Sequence, residues 1–132
     1  MSIEQNKAIV HQFITAINEQ HYDAFDTLAS PEIAQMAKDI TRWVYATFEG
    51  HYATVTDMVA GGDKVVVRVA TRGGHSGEFE GLPPTGKQWT NTGVLFFRLA
   101  DNKIVEFDTL FDVLGHLKQL GATITPPASS GT

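Results

Sequence analysis

The chain has 132 residues, of which 42% are hydrophobic and 19% are charged, as expected for one globular domain. Its formal net charge is -5 and its lysines and arginines are scattered, so we expect no nucleic-acid partner and no membrane partner. The absence of cysteine excludes disulfides and thiolate zinc sites, and the apolar runs are too short to span a bilayer. The first residues lack the pattern of a secretory signal, so we expect a cytoplasmic protein.

The first 50 residues have the apolar spacing of three helices. Ser2 and Gln5 form a capping-box pair that opens the first helix. Ser30 followed by Pro31 is the start signal of the third helix, and Gly50 is its natural stop. The predicted apolar stripes are Ile9, Val10, Phe13, Ile14 and Ile17; then Tyr22, Phe25 and Leu28; then Ile33, Met36, Ala37, Ile40, Val44 and Phe48.

From His51 onward the apolar residues alternate, as they do in half-buried strands. The predicted strands are Tyr52–Ala60, Lys64–Arg72, Gln88–Leu99 and Lys103–Leu110. We expect Gly73 and Gly74 to interrupt the second strand by a bulge or a sharp turn, and the Pro83-Pro84 segment to form a loop. In the third strand the odd-numbered positions are the more apolar, so we place them inward.

A short helix closes the predicted fold. Asp112 is its expected cap, Leu114, Leu117 and Leu120 form its apolar stripe, and Gly121 ends it. We expect a single domain over residues 1–122 and a flexible tail over residues 123–132. Three helices, a curved antiparallel sheet and one short helix make an α+β protein, and a bent sheet over helices leaves a conical cavity.

Four segments of the sequence carry a likeness to a known family. They are Val65-Val66-Val67-Arg68, the stretch from His75 to Lys87 with its Pro-Pro-Thr-Gly turn, Asn102-Lys103-Ile104-Val105-Glu106, and Asp112-x-x-Gly115 followed by Gln119-Leu120-Gly121. Over roughly residues 3 to 122 the chain resembles the SnoaL-like polyketide cyclases, or ester cyclases, of the NTF2-like superfamily. The resemblance implies an α+β cone with an interior pocket and a homodimer through the outer sheet face. It also implies aldol ring closure by side-chain acid/base catalysis, with no metal and no other cofactor.

The sequence departs from the family at two positions that the resemblance marks as catalytic. Thr109 stands where the defining cyclases carry their acid/base aspartate, and Leu95 stands where they carry a histidine. Asp108 is adjacent to the first of these positions, but a shift of one residue in a strand points it to the opposite face. The fold is therefore expected to transfer without the usual catalytic pair.

His75 and Asp112 are the candidate catalytic residues. Asp112 is either a carboxylate at the pocket mouth or a helix N-cap, and we favour the cap. His75 either titrates near neutral pH as an acid or base, or holds the Pro-Pro loop by a hydrogen bond; both readings remain open. His11, His21, His51 and His116 lack metal-ligand spacing, and His116 is expected to be a solvated side chain.

The candidate substrate-binding residues lie on the third helix and the last two strands. They are Trp43, Trp89, Asn91, Leu95, Phe97, Phe107 and Thr109. Core packing is the commoner fate of aromatic residues at such spacing, but a buried indole N–H needs a partner, which favours the two tryptophans as pocket residues. Asn91 and Thr109 are the polar side chains on the inferred inward face and are expected to orient a ligand.

Three functional hypotheses follow. The first is an enzyme that acts on a carbonyl-bearing, apolar small molecule by proton abstraction, followed by ring closure or isomerisation. The second is a non-catalytic small-molecule binding protein on the same cone, favoured by the two substituted positions. The third is a dimeric interaction module. The outer face of the third strand carries Val94 and Phe96, which is too apolar for a fully solvated face, so we expect a homodimer in any case.

Overall fold

The computed structural model describes residues 2–123 and 125–127. Its elements in chain order are α1 (Ile3–Glu19), α2 (Tyr22–Leu28), α3 (Pro31–Thr47), β1 (Tyr52–Gly61), β2 (Lys64–Gly74), β3 (Gln88–Ala100), β4 (Lys103–Phe111) and α4 (Val113–Gln119). This order confirms the predicted α+β cone. Residues 124 and 128–132 of the expected tail lie outside the described residues. Within the described ranges, none of the helices is long and apolar enough to cross a membrane.

The capping box at the start of α1 is present as predicted. The Gln5 backbone N–H donates to Ser2 Oγ at 3.0 Å, and the Ser2 N–H donates to Gln5 Oε1 at 2.9 Å. Two orphan donors of the first turn are thereby satisfied. Pro31 is the first residue of α3, as its fixed φ angle favours.

The sheet is antiparallel with the order β1-β2-β3-β4. The expected interruption at Gly73 and Gly74 is wrong, since these residues pair with Trp89 and Gln88 in the register of the rest of β2. A Cβ atom on Gly73 would lie 3.1 Å from Cζ2 of Trp89. The glycine therefore allows a close approach of the indole rather than a break in the strand.

The inward faces of the two central strands are those that the alternation predicts. On β2 these side chains are Val65, Val67 and Val69; on β3 they include Trp89, Leu95, Phe97 and Leu99, and all of them are buried. At one end of the cone, the fully buried Phe13 of α1 contacts the rings of Phe25, Phe97 and Phe107, with centroids 5.1, 5.6 and 5.2 Å away. Side chains therefore fill this end of the cone.

A second, smaller apolar cluster lies at the other end, where α4 closes the structure. It contains Phe48, Phe79, Trp89 and Leu120, with Leu82 and Leu117 packed against it. The β3–β4 ladder begins at the pair Gly93–Phe111, so the backbone of Thr90 lies beyond it. The side-chain amide of Gln119 takes the place of a strand there: its Oε1 accepts from the Thr90 N–H at 2.9 Å and its Nε2 donates to the Thr90 carbonyl at 2.6 Å.

Asp112 is the N-cap of α4, because its Oδ1 accepts a hydrogen bond from the Gly115 N–H at 2.8 Å. Asparagine caps a helix about as well as aspartate, whereas alanine loses ~1 kcal/mol. We therefore expect Asp112→Asn to unfold at the wild-type temperature and Asp112→Ala to unfold roughly 3–5 °C lower. Thermal unfolding followed by circular dichroism measures both, and equal melting temperatures for the two variants would contradict the cap.

Candidate functional site

A cavity of about 250 Å³ lies beneath α4, beside the smaller apolar cluster. We call it the aromatic pocket. Its wall consists of Trp43 and Val44 from α3, Phe48 at the C-cap of α3, His51 from the following turn, Thr71 from β2, Phe79 and Glu80 from the Pro-Pro loop region, Trp89 and Asn91 from β3, Phe111 from β4, and Val113 and His116 from α4. Every layer of the fold thus contributes to this wall.

Trp89 is the central residue of the wall and is 4% exposed. Its ring centroid lies 4.1 Å from that of His116, 4.8 Å from that of Phe48 and 6.2 Å from that of His51. Three ring nitrogens around the pocket lack hydrogen-bond partners among residues 2–123 and 125–127: Trp89 Nε1, His51 Nδ1 and His116 Nε2. We call these the unpartnered nitrogens. Buried polar groups are ordinarily paired with protein atoms or ordered water, so these three nitrogens have unused hydrogen-bonding capacity.

The expectation of a solvated His116 is wrong, since this side chain is 5% exposed. Its ring stacks obliquely on Trp89 and lies 4.8 Å from Phe79. His116 and Leu120 are four residues apart and face the sheet together, whereas Leu114 is 49% exposed. Of the predicted leucine stripe, Leu120 is buried and Leu117 packs against the smaller apolar cluster, whereas the inward position expected for Leu114 is wrong. A helix of seven residues is too short for its periodicity to fix every inward position.

Both histidines of the wall are neutral near pH 7. Burial, together with a smaller effect of the nearby His116, lowers the pKa of His51 to about 4. Burial and the nearby His75 likewise lower the pKa of His116, and Asp112 opposes them, so that this pKa is also about 4. Each ring therefore offers a free lone pair and an N–H at physiological pH.

His75 is fully buried, and its ring holds the Pro-Pro loop. Nδ1 accepts the Thr85 backbone N–H at 3.1 Å and lies 2.9 Å from Thr85 Oγ1, while the His75 backbone pairs with Gly86 and Lys87. Because Nδ1 accepts a backbone N–H, the proton of the neutral ring is on Nε2. Of the two readings from the sequence, these contacts favour the structural one, and the described wall of the aromatic pocket does not include His75.

Asp112 caps α4 and also affects the pKa of His116. Its carboxylate caps α4 and borders a separate outer cleft together with Thr90 and Gln119. It is also close enough to His116 to raise the pKa of that imidazole. The residue therefore acts on the aromatic pocket through His116 and not from its wall.

The candidate substrate-binding residues separate into three groups. Trp43, Trp89 and Asn91 line the aromatic pocket. Leu95, Phe97 and Phe107 pack in the main core instead, because Phe13 fills the space in front of them. Thr109 is paired with Leu95 on β4, the outermost strand, and its side chain is exposed. Asn91 donates through Nδ2 to the Asp112 carbonyl at 3.2 Å, which ties β3 to the start of α4.

Sequence reasoning missed His51, Phe48, Phe79, Phe111 and His116 as pocket residues. The ring of Phe111 folds over Gly93, the residue opposite it on β3, where a Cβ atom would collide with that ring. The spacing of Gly93 and Phe111 along the sequence carries no sign of this pairing. In the part of the chain that the structure describes, no group of three or more histidines or carboxylates is placed to hold a metal ion.

Comparison with known proteins identifies the class to which this fold and pocket belong. The family model of the SnoaL-like polyketide cyclases matches residues 4–120, and the chain belongs to this family. Aklanonic acid methyl ester cyclase DnrD of Streptomyces peucetius is 30% identical over 94 residues, an alignment that spans 71% of this chain but only 63% of that cyclase.

Solved structures show the same cone. TsrD of Streptomyces laurentii superposes with a TM-score of 0.85 and 24% identity, covering 93% of this chain and 99% of that one. Wild-type IdmH of Streptomyces antibioticus superposes with a TM-score of 0.77 and 28% identity, covering 89% and 99% respectively.

The two lowered histidine pKa values predict a pH-dependent stability. Since the folded values of about 4 lie below the reference value of 6.5, the unfolded chain binds more protons between these two pH values. The free energy of unfolding should be fully retained above pH 6.5 and should decrease as the pH falls towards 4, by about 1.4 kcal/mol per pH unit for each proton taken up.

Urea denaturation between pH 4.5 and 7.5 measures this slope. We expect His116→Gln to flatten it and His11→Gln, at an exposed position on α1, to leave it unchanged. The same slope in His116→Gln as in the wild type would contradict the neutral, buried state of His116.

Proposed function

We propose that the aromatic pocket binds an uncharged, carbonyl-bearing, largely apolar small molecule. We propose further that the protein acts on it by acid/base chemistry, as an aldol-type ring closure or an isomerisation. The aromatic rings of the wall suit a flat ring compound, since they offer faces and edges for stacking contacts. The low pKa of both wall histidines supports an uncharged ligand, because the same burial disfavours any charge in the pocket.

The observation that carries this proposal is the Trp89 N–H. This donor belongs to a residue of the pocket wall and is one of the unpartnered nitrogens. A carbonyl oxygen of the ligand would satisfy it and would recover the free energy lost when the donor is buried unpaired. A hydrocarbon of the same shape would leave it unsatisfied, so the pocket is expected to distinguish the two.

The volume of the cavity limits the size of the ligand. Pockets for drug-sized ligands usually have volumes of ~300–1,000 Å³. A cavity of about 250 Å³ suits one or two fused rings, with any longer substituent leaving beside the half-exposed Trp43. The DnrD cyclase is named for a methyl ester substrate. Because Thr109 and Leu95 replace the usual aspartate and histidine, we propose that this chain uses other groups for proton transfer and a smaller substrate.

A second candidate is a non-catalytic binding protein for the same class of ligand. Glu80 is the one carboxylate among the described wall residues, and Thr109 lies on the exposed edge strand. A described wall with a single carboxylate, and with Thr109 outside it, supports ligand binding alone. Turnover of a bound ligand, measured as proton exchange, distinguishes the two candidates.

The proposal is tested with a matched pair of two-ring ligands, 2-tetralone and the hydrocarbon tetralin. We expect the wild type to bind the ketone more tightly, and Trp89→Phe to weaken ketone binding by about 5- to 10-fold, the scale of one neutral hydrogen bond. The same substitution should change tetralin binding by less than about twofold, because the phenyl ring keeps the stacking contacts. Calorimetric titration gives these affinities, and equal wild-type affinity for the two ligands would overturn the proposal.

We also propose that two copies of the chain associate through the outer face of the sheet. The strand register brings together the outward-facing Val59, Val66, Val94, Phe96 and Leu110. Val59 is 59% exposed, Phe96 44% and Leu110 66%, although all three are large and apolar. A contiguous apolar area of this kind is typical of an interaction surface, and a self-complementary sheet face suits a twofold dimer.

Sedimentation at low micromolar concentration tests the dimer. A stable interface buries more than ~1,000 Å² in total, and Leu110→Lys would place a charge within it. We expect the wild type to sediment as a dimer and Leu110→Lys to shift towards the 14.4 kDa monomer. Ile40→Lys, at a partly exposed position on α3, should remain dimeric. A wild-type monomer would refute the proposed association.

A further inference from the structure

We propose that His116 is the catalytic base of the aromatic pocket and that His51 is its hydrogen-bond-donating partner. The two imidazoles would then carry out the proton transfer for which the defining cyclases use an aspartate at the position of Thr109. This inference rests on the proposed function, because it assigns the proton-transfer groups of the same pocket.

The first argument is geometric. His51 precedes β1 and His116 lies on α4, yet both line one cavity and both lie beside the indole of Trp89, at centroid distances of 6.2 and 4.1 Å. His116 is more than nine-tenths buried, and its Nε2 is one of the unpartnered nitrogens, as is Nδ1 of His51. A ring nitrogen in this position has no structural hydrogen bond to break when it takes or gives a proton.

The second argument concerns the charges that face the two rings. His116 interacts with His75, which disfavours its protonation, and with Asp112, which favours it; His51 interacts with His116. Glu80 is the charged residue of the wall, while α3 and β2 present Trp43, Val44, Phe48 and Thr71. Since protonation of one imidazole disfavours protonation of the other, the pair accepts one proton at a time.

The presence of Asp112 decides which imidazole is the base. Its carboxylate stabilises a positive charge on His116, four residues along the chain, and among the groups that shift His51 there is no carboxylate. We therefore assign the proton taken from the ligand to His116, the imidazole that has a carboxylate beside it. His51 stays neutral and keeps its N–H for the ligand. Asp112 is in this account a positioning residue, which acts through His116.

The proposed step transfers a proton and needs no oxidant or reductant. The lone pair on His116 Nε2 takes the hydrogen from the carbon next to the ligand carbonyl. The electrons of that C–H bond form the C=C bond of an enolate, and the carbonyl π pair moves to the oxygen, which accepts hydrogen bonds from Trp89 Nε1–H and the His51 N–H. The imidazolium then returns its proton, either to another carbon in an isomerisation or to the new alkoxide in a ring closure.

Exchange of the C–H hydrogens of 2-tetralone for deuterium in D₂O, followed by proton NMR near neutral pH, tests this step. We expect the wild type to catalyse exchange and His116→Gln to lose about 100-fold or more of the rate, the scale of one acid/base group. His51→Gln should lose less, and His11→Gln should match the wild type. Binding of 2-tetralone should change by less than threefold in His116→Gln, so that the loss appears in the rate and not in the affinity.

The outcomes separate the two proposals. Wild-type protein that does not bind 2-tetralone would overturn the proposed function and this assignment with it. Wild-type protein that binds the ketone without exchanging its hydrogens would overturn the assignment and leave ligand binding in place. Wild-type exchange rates in His116→Gln would show that another residue is the base.

A measurement on unaltered protein covers the case in which His116→Gln does not fold. The flat enol analogue 2-naphthol should place its oxygen against Trp89 Nε1–H and the His51 N–H and its neighbouring ring carbon beside His116, and we expect the NMR titration midpoint of the His116 imidazole to change when the analogue binds. In Asp112→Asn, which keeps the helix cap, the midpoint should be lower than in the wild type and the exchange rate should fall. A His116 midpoint unaffected by bound 2-naphthol would overturn the assignment.

Discussion

The burial of the Trp89 indole is the constraint on which this end of the molecule depends. The ring is large, and it packs closely over Gly73, the residue opposite it on β2, where a Cβ atom would lie 3.1 Å from the indole. Phe48 and His116 then pack on the indole from α3 and α4, so that three parts of the chain meet at one side chain. The α4 helix, the aromatic pocket and the orientation of His116 all follow from this arrangement.

The same burial sets the electrostatics of the pocket. Two imidazoles are kept neutral because their surroundings are apolar, and the unpartnered nitrogens remain without compensation in the described structure. Each such group costs stability. The filled end of the cone, where Phe13 packs among Phe25, Phe97 and Phe107, supplies apolar burial that offsets this cost. The protein thus has a close-packed end and an end that contains the aromatic pocket, joined by one continuous sheet.

The sequence was sufficient to predict the architecture, because its signals are local or strictly periodic. The Ser2–Gln5 capping box, the alternation in β2 and β3 and the Asp112 cap all appear where expected. The site was harder to predict. The phase of a two-turn helix is undetermined by periodicity, so His116 was placed on the wrong face, and the glycines before His75 resembled a break although they accommodate a ring from the neighbouring strand. Both errors concern contacts between residues that are distant in sequence.

The two hydrogen bonds of Gln119 to Thr90 have a consequence for the assembly of the sheet. The start of β3 extends beyond β4 and would otherwise present an open strand edge, which is a ready template for pairing with another chain. A side-chain amide has the same donor and acceptor as a peptide group, so Gln119 occupies both polar groups of Thr90 without adding a strand. The residue that anchors α4 therefore also protects the sheet against edge-to-edge aggregation.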